Sequence, residues 1–358
     1  MSRNARFFSL KRLFGCSLAC LAPLLCGGER PQLSTGVSSA HRARVVIVED
    51  DAATDAYKPV PEKIHALVQR GMTNFTGKAD LRAAWKTVAA SNDVVGIKVI
   101  SRPGSQVGTR VAVVEGVIEG LLTAGMRATN IIVWDYRLSD LNRAGFGELA
   151  GRYGVVVAGS LDAGWDEAVF YESSLLGQLV YGDLEFQKKG DNIGRKSFVT
   201  KLLTKQITKI INVSPLLNHN TAGVCGNLYS LASGAVDNTI RFDGDVGKLA
   251  QAVPEIYALP ALSDHVALTI VDALICQFQG EQIAHLHYSA ALNQIRISSD
   301  PVALDVLSIE ELDRQRARVL PDVPAKTNRM ELYRNAELLE LGISERNRID
   351  IDFAAPGK

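Results

Sequence analysis

Four side chains with catalytic or ligand-binding chemistry stand where predicted buried strands end. Lys98 lies near the end of one apolar segment, Asp135 and Asp272 directly follow two others, and His219 lies in the polar loop after a fourth. In open α/β sheets, ligands bind beyond the carboxyl ends of the parallel strands. We therefore expect these four side chains to lie on one rim of the sheet.

Two kinds of chemistry suit this set. Carboxylate and imidazole groups can hold a divalent cation, so Asp135, His219 and Asp272 are the candidate metal ligands. Lys98 and His219 could instead act on a small anionic molecule, and they are the candidate catalytic residues. Structural roles compete, because a carboxylate after a strand commonly caps a helix or forms a turn, and a buried ammonium group needs a partner.

Several classes of protein are excluded by missing motifs. The sequence contains no P-loop, G-x-S-x-G, H-E-x-x-H or Rossmann glycine pattern. Only Cys225 and Cys276 lie outside the first 28 residues, and no two cysteines form a C-x-x-C pair. We therefore expect neither an iron–sulfur cluster nor a zinc–thiolate site. Two buried free thiols are the favoured state, with one disulfide as the alternative in an oxidising compartment.

Short apolar segments alternate with longer helical patterns from residue 45 onward. This alternation predicts an α/β fold with a mainly parallel sheet and helices on both faces. The apolar segments are continuous, which is typical of strands buried on both faces. The predicted strands are Val45–Val48, Val94–Val99, Asn130–Trp134, Gly154–Ala158, Lys209–Val213, Val266–Val271, Gln294–Ser298 and, at an edge, Arg348–Phe353.

The clearest predicted unit is a βαβ crossover over residues 94–135, in which an apolar helix joins two parallel strands. Thr109 is its predicted N-cap and Gly125 its left-handed C-cap. A second helix should begin at Asp300-Pro301, with Asp300 as a cap, and run to about Arg318.

The composition and the lack of a linker favour one large domain. A third helix is predicted over Glu331–Leu341, and residues 160–195 form a predicted peripheral insertion. Of 358 residues, 47% are hydrophobic, enough for a sizeable core, and no linker divides residues 42–353. Without the four basic residues of the first 28, the chain has 35 basic and 39 acidic residues and no basic run, so no nucleic-acid partner is expected.

Residues 1–40 have the pattern of a signal or targeting segment. A basic stretch ends at Arg12, and the apolar run Leu13–Cys26 is shorter than the roughly 20 residues that span a bilayer. We expect export to the periplasm or the exterior and a mature chain with no transmembrane span. Lipid anchoring at Cys20 or Cys26 is not favoured, because neither follows a good lipobox. The alternative is an uncleaved interfacial helix.

Six segments carry a resemblance to a known family. They are DVVGIKV (93–99), VVEGVIEGLLTAGMRATNIIVWDYRLSDLNRAGF (113–146), KIINVSPLLNHNTAGV (209–224), SGAVDNTIRF (233–242), LTIVDALICQFQG (268–280) and SSDPVALDVLSIE (298–310). In their order and spacing, the chain resembles the domain of unknown function 362 family, in its secreted bacterial branch, over residues 42–353. The resemblance implies this fold and export, and it carries no established activity.

The chain departs from the family pattern at three places. Ile100 stands where the family usually has asparagine, Leu217 where it has lysine, and Tyr229-Ser230 where it has a Lys-Asn pair. The family positions that match are Lys98, Asp135, His219, Asn238 and Asp272. Two functions stay open: a metal-dependent or anion-binding enzyme with its site at the carboxyl ends of the strands, and a non-catalytic binding protein or lapsed enzyme that retains the fold.

Overall fold

A mixed sheet is the frame of the protein, whose computed structural model describes residues 41–173, 195–321 and 330–354. The strands are Ala43–Glu49 (β1), Thr54–Asp55 (β2), Lys58–Pro59 (β3), Val95–Lys98 (β4), Ile131–Asp135 (β5), Val156–Gly159 (β6), Trp165–Glu172 (β7), Lys196–Thr200 (β8), Lys209–His219 (β9), Gly223–Val224 (β10), Val266–Gln277 (β11), Ser289–Ser298 (β12) and Ile349–Phe353 (β13). The main sheet has the order β13-β1-β12-β11-β9-β4-β5-β6, with β10 paired to β9. From β11 to β6 neighbouring strands are parallel, whereas β12 is antiparallel to both β1 and β11.

Helices cover both faces of this sheet, as the sequence predicts. They are Pro61–Thr76 (α1), Leu81–Lys86 (α2), Val111–Thr123 (α3), Leu138–Arg143 (α4), Glu148–Tyr153 (α5), Ser160–Ala163 (α6), Lys201–Lys205 (α7), Asn227–Ala235 (α8), Ile240–Asp243 (α9), Val246–Tyr257 (α10), Pro260–Ser263 (α11), Pro301–Val319 (α12) and Glu331–Leu338 (α13). Alternate residues of β5 enter different cores: Ile132 and Trp134 pack with α8, α10 and α12, whereas Ile131 and Val133 pack with α1 and α3. This division explains the continuous apolar character of the central strands.

The predicted βαβ unit is confirmed, but its N-cap is wrong. β4 and β5 are parallel neighbours, and Gly125 takes the left-handed conformation after α3, with φ +93°. The N-cap of α3 is Arg110, and its side chain makes no capping hydrogen bond. Thr109 instead uses its hydroxyl to accept from the Ile100 amide and to donate to the Val213 carbonyl. The loop after β4 is thereby tied to β9.

Several predicted elements differ from the structure in their bounds. The strand predicted to end at Val271 runs on to Gln277, so Asp272, predicted to follow that strand, lies within it. His219 is the last residue of β9 and pairs with Gly223, so the predicted polar loop is in fact the end of a long strand. The third predicted helix ends at Leu338, because the chain turns at Glu340, which has a left-handed φ of +59°. By contrast, Asp300 caps α12 as predicted, accepting from the Ala303 amide at 2.8 Å.

The predicted insertion, residues 160–195, contains α6 and β7, and β7 pairs antiparallel with β8, which follows the insertion. Its residues 174–194 lie outside the described part of the chain. The predicted targeting segment, with Cys20 and Cys26, also lies outside the described residues. Among the helices that the structure describes, none combines the length and apolar character needed to cross a membrane.

Candidate functional site

An open cavity of about 660 Å³ lies beyond the carboxyl ends of β4 and β5. A smaller cavity of about 330 Å³ adjoins it and shares Arg102, Tyr229, Asp243 and Gln282 with it. We call the joined cavities the rim cleft. Its principal lining residues are Lys98, Arg102, Asp135, Arg137, Tyr229 and Asp243.

The floor of the rim cleft is a buried ion pair between Lys98 and Asp135. Lys98 is only 1% exposed, and its ammonium group donates to Asp135 Oδ1 at 2.8 Å, to the Val99 carbonyl at 2.6 Å and to Ser230 Oγ at 3.4 Å. The other carboxylate oxygen of Asp135 accepts from the amide and the hydroxyl of Ser101. The pair is thus neutral and held by a full set of hydrogen bonds.

Helix α8 can close over this pair because Gly234 faces Lys98. A Cβ atom at position 234 would lie 2.2 Å from Lys98 Cε, which leaves room for glycine alone unless the lysine moves. Glycine at position 234 therefore lets α8 pack close to the Lys98 side chain.

Two guanidinium groups on the walls of the cleft have no anionic partner among the residues that the structure describes. Arg102 follows β4 and Arg137 follows β5; both are exposed, and neither makes an ion pair within the described residues. Arg137 lies over the ring of Tyr136, with 5.5 Å from its guanidinium carbon to the ring centroid. The carboxylates that line the same cavity are each engaged: Asp135 by Lys98, Asp140 by Arg143, and Asp243 by the hydroxyl of Tyr229. The lining of the larger cavity consequently has one more basic than acidic side chain, and Glu281, which lines the smaller cavity, balances that excess over the whole rim cleft.

His219 and Tyr229 form one wall of the smaller cavity, with ring centroids 4.3 Å apart. The Nδ1 atom of His219 accepts from the amides of Thr221 and Ala222, so the ring is neutral with its proton on Nε2. Burial, together with the nearby Asp243 carboxylate, raises the pKa of Tyr229 well above its ordinary value. Its hydroxyl therefore stays protonated and donates to Asp243 at 2.9 Å.

Asp272 lies away from this site, completely buried (0% exposed). Its carboxylate accepts from the side chain of Arg110 at 3.0 Å, from the Arg110 amide at 2.9 Å and from the Leu274 amide at 3.3 Å. It therefore stabilises the start of α3, where a negative charge is favourable.

The structure thus divides the predicted metal ligands. Because β9 and β4 lie between the strands of Asp272 and Asp135, three strand spacings, or about 14 Å, separate the two. They do not share one cation. Within the described residues, no group of three or more His, Cys, Asp or Glu side chains is arranged to hold a metal ion. A cation bound at Asp135, at His219 or at Asp272 singly stays a prediction.

A small apolar cluster separates the two regions. Ile100, Val107, Leu217 and Cys225 are buried together. Ile100 and Cys225 line the rim cleft, whereas Val107 lines a different cavity, which Arg110 also lines. Ile100 and Leu217, which stand at two of the positions that depart from the family pattern, therefore belong to one buried apolar cluster.

The cysteines are free and buried, as predicted for Cys225 and Cys276. Burial raises the pKa of the Cys225 thiol, and it raises the pKa of Cys276 to about 12. Neither thiol has the thiolate character that a nucleophile needs at neutral pH.

Sequence reasoning missed Arg102 and Arg137. The available signal was their position, four and two residues after the ends of neighbouring parallel strands. That neither has a carboxylate partner within residues 41–173, 195–321 and 330–354 is a property of the folded surroundings, which the sequence does not display.

Comparisons with known proteins place this chain within a family of undefined chemistry. The family model described as "Domain of unknown function (DUF362)" matches residues 94–310. Among solved structures, the chain is similar to the crystal structure of a protein from Thermotoga maritima, with 12% identity and a TM-score of 0.38. That match covers 74% of this chain and 59% of the Thermotoga protein, so the chain spans less than two thirds of its length. None of the curated proteins matches the chain.

Proposed function

We propose that this chain, which belongs to the family of domain of unknown function 362, binds a small anionic molecule in the rim cleft. The observation that carries this proposal is the pair of guanidinium groups, Arg102 and Arg137, which line the cleft and have no carboxylate partner among the described residues. A guanidinium group presents a planar set of donors that matches carboxylate and phosphate oxygens.

The floor of the cleft supports the same ligand. The Lys98–Asp135 pair contributes no net charge, so it does not cancel the positive charge of the two arginines. Its hydrogen bonds to Ser101 and Ser230 hold the strand ends in place, and a rigid floor lowers the entropic cost of binding. Lys98 and His219 stay the candidates for a catalytic role, since both line the joined cavities.

The apolar cluster favours binding without catalysis. Ile100 and Cys225 present hydrocarbon and a protonated thiol to the cleft, and neither can donate a strong hydrogen bond to a charge that develops during a reaction. The geometry therefore supports a non-catalytic binding protein or lapsed enzyme better than an active enzyme.

Calorimetric titration of the full chain with acetate and with inorganic phosphate, at low ionic strength, tests this function. We expect saturable binding that weakens as salt is added. Arg102→Ala/Arg137→Ala should weaken it by about tenfold or more, because hydrogen bonds to charged groups contribute about 1.5–3 kcal/mol each. Arg82→Ala is the matched control, an exposed arginine of α2 that does not line the cleft.

Unchanged affinity in the double variant, or no binding of either anion, would reject the proposal. Repeating the titrations after dialysis against chelator and with added Mg²⁺, Mn²⁺ or Zn²⁺ tests the predicted cation. If anion binding requires a cation, and Asp135→Asn or His219→Ala abolishes the effect of that cation, the metal-dependent alternative would be supported.

A further inference from the structure

Two isoleucine side chains are exposed in the walls of the rim cleft. Ile240 at the start of α9 is 51% exposed, and Ile283 in the loop after β11 is 68% exposed. Ile240 lines the larger cavity and Ile283 the smaller one, and both cavities include Arg102 and Tyr229. Single exposed apolar side chains are common on protein surfaces. Here, however, the two lie in adjoining cavities that share Arg102, so the joined cleft offers apolar surface together with a guanidinium group.

The apolar surface continues into the cleft. Ile100 and Cys225 lie at its base, and the ring of Tyr229 belongs to both cavities. An anion held by Arg102 would therefore place any attached hydrocarbon among these side chains. Burying hydrocarbon there contributes about 0.8 kcal/mol for each fully buried CH₂ group.

Two carboxylates in the smaller cavity, one of which (Asp243) also lines the larger cavity, restrict what that ligand can carry. Asp243 and Glu281 both line the smaller cavity. One oxygen of Asp243 accepts from Tyr229, and one oxygen of Glu281 accepts from the Asn220 amide at 2.8 Å. Both are carboxylates beside the cavity, and like charges placed close together repel. A second anionic group on the ligand would be unfavourable there.

We infer that the ligand of the rim cleft is an organic molecule with a single anionic group, a carboxylate or phosphate head at Arg102 and Arg137, and an uncharged apolar portion of several carbon atoms between Ile240 and Ile283. This inference rests on the proposed function and adds the chemical class of the ligand to it. The head supplies the charge that the cleft selects, and the apolar portion supplies most of the affinity.

Calorimetry of the full chain with acetate, butyrate, hexanoate and octanoate, below micellar concentrations, tests the inference. We expect affinity to rise about two- to fourfold for each added CH₂ group. Hexyl phosphate serves as a second probe that distinguishes a phosphate head from a carboxylate head at equal chain length. Octanedioate should bind more weakly than octanoate, and Glu281→Gln should reduce that difference.

The matched variants change exposed side chains, so the fold should be preserved. Ile240→Ser/Ile283→Ser should remove most of the gain with chain length and leave acetate binding intact. Leu338→Ser, which changes an 81% exposed leucine at the end of α13, should alter neither. The inference would be overturned if affinity stayed the same from acetate to octanoate, or if the isoleucine variant kept the full gain with chain length. In either case, acetate binding that depends on the two arginines would still support the proposed function. Failure of every carboxylate and phosphate to bind would overturn the proposed function itself.

Discussion

Asp135 and Asp272 occupy equivalent places in the sequence and very different places in the protein. Each is predicted to follow a buried parallel strand, but Asp135 is the last residue of β5 and Asp272 lies within β11. Each pairs with a cation, Lys98 or Arg110. Asp135 lies in the floor of an open cleft, whereas Asp272 is sealed beneath the start of α3. The comparison shows that two acids predicted at strand ends can lie at different places along their strands, so the predicted end of a strand does not by itself locate an acid at the rim. Whether a ligand can reach it depends on the loop that follows the neighbouring strand.

That loop follows β4 and extends to α3. Thr109 ties it to the Val213 carbonyl of β9, and the Arg110 amide is bound by Asp272. Ile100 and Val107 of the same loop pack with Leu217. The loop therefore closes the sheet above β9 and β11 and leaves it open above β4 and β5.

The largest expected effect is on stability, at the sealed pair. Asp272→Ala leaves the guanidinium group of Arg110 buried with only the carbonyls of Gln106 and Ile275 as acceptors and without its carboxylate, and we expect a loss of about 3–5 kcal/mol in the free energy of unfolding. Urea denaturation measures it, and Asp350→Asn, which breaks the exposed pair with Arg42, is the control that should change little. Arg110→Met in the same chain should recover part of the loss. Weaker anion binding by folded Asp272→Ala would show that the two regions are not separate.

A smaller effect, on two properties at once, is expected at the cleft floor. Lys98→Met leaves Asp135 without its cation, but Ser101 still donates to it twice and water in the cleft can reach it. We expect a loss of about 2–3 kcal/mol in stability and about tenfold in anion affinity, because the cleft gains an uncompensated negative charge. Urea denaturation and calorimetry measure the two. A loss of stability with unchanged affinity would contradict the position assigned to this pair.

A third buried acid, Asp305 of α12, holds the wall of the cleft and should give a pH-dependent effect. It accepts from the Asn227 amide at 2.6 Å and the Leu228 amide at 2.9 Å, so it binds the start of α8. Burial raises the pKa of Asp305 to about 7. Between about pH 4 and 7 the folded protein therefore holds a proton on Asp305 that the unfolded chain has released. The stabilisation that this proton gives falls as pH rises from about 4 to 7, and the contribution of Asp305 is constant above that.

Asp305→Asn removes this titration. At pH 5 the variant should be less stable than wild type by about 1–3 kcal/mol, because an amide NH₂ group replaces one of the two carboxyl oxygens that accept from the backbone amides at the start of α8. The difference should shrink toward pH 8, where wild type has lost the contribution of its protonated carboxyl group. Urea denaturation of both proteins from pH 5 to 8 measures this. A difference that stays constant or grows over that interval would contradict the assigned shift.

The smallest effect is expected at the mouth of the cleft. Arg143 pairs with Asp140 from an exposed position, and such pairs contribute less than about 1 kcal/mol. Arg143→Ala should change the stability within that bound. It should weaken anion binding less than Arg102→Ala does, because Arg143 already has a carboxylate partner. Equal losses from the two single variants would contradict the distinction between paired and unpaired guanidinium groups.

The fold could be predicted from the sequence wherever apolar segments were continuous, as in β4 and β5. β9 was predicted too short because Ser214, Pro215 and Asn218 give its second half the composition of a loop. The structure buries these polar side chains with partners from elsewhere: Asn218 accepts from the Glu281 amide, and Ser214 contacts Asn227. Such partners are distant in the sequence, so local composition does not reveal a polar buried strand.

The candidate site could be predicted only in part, for the same reason. Lys98 and Asp135 were expected on one rim, since adjacent parallel strands end side by side. The pairing of Asp272 with Arg110 joins two segments 162 residues apart, and no local pattern indicates it. Arg102 and Arg137 became candidates only when their neighbours were known.

The most direct test of the central claim is the position of a bound anion in a crystal of the full chain. 4-Bromobenzoate has one carboxylate, an apolar ring and an anomalous scatterer. We predict its carboxylate at Arg102 and Arg137 and its bromine peak between Ile240 and Ile283, with the peak absent from Arg102→Ala/Arg137→Ala. A bromine peak beside Arg110 and Asp272, or no peak in the cleft at concentrations that saturate the protein in solution, would contradict the account.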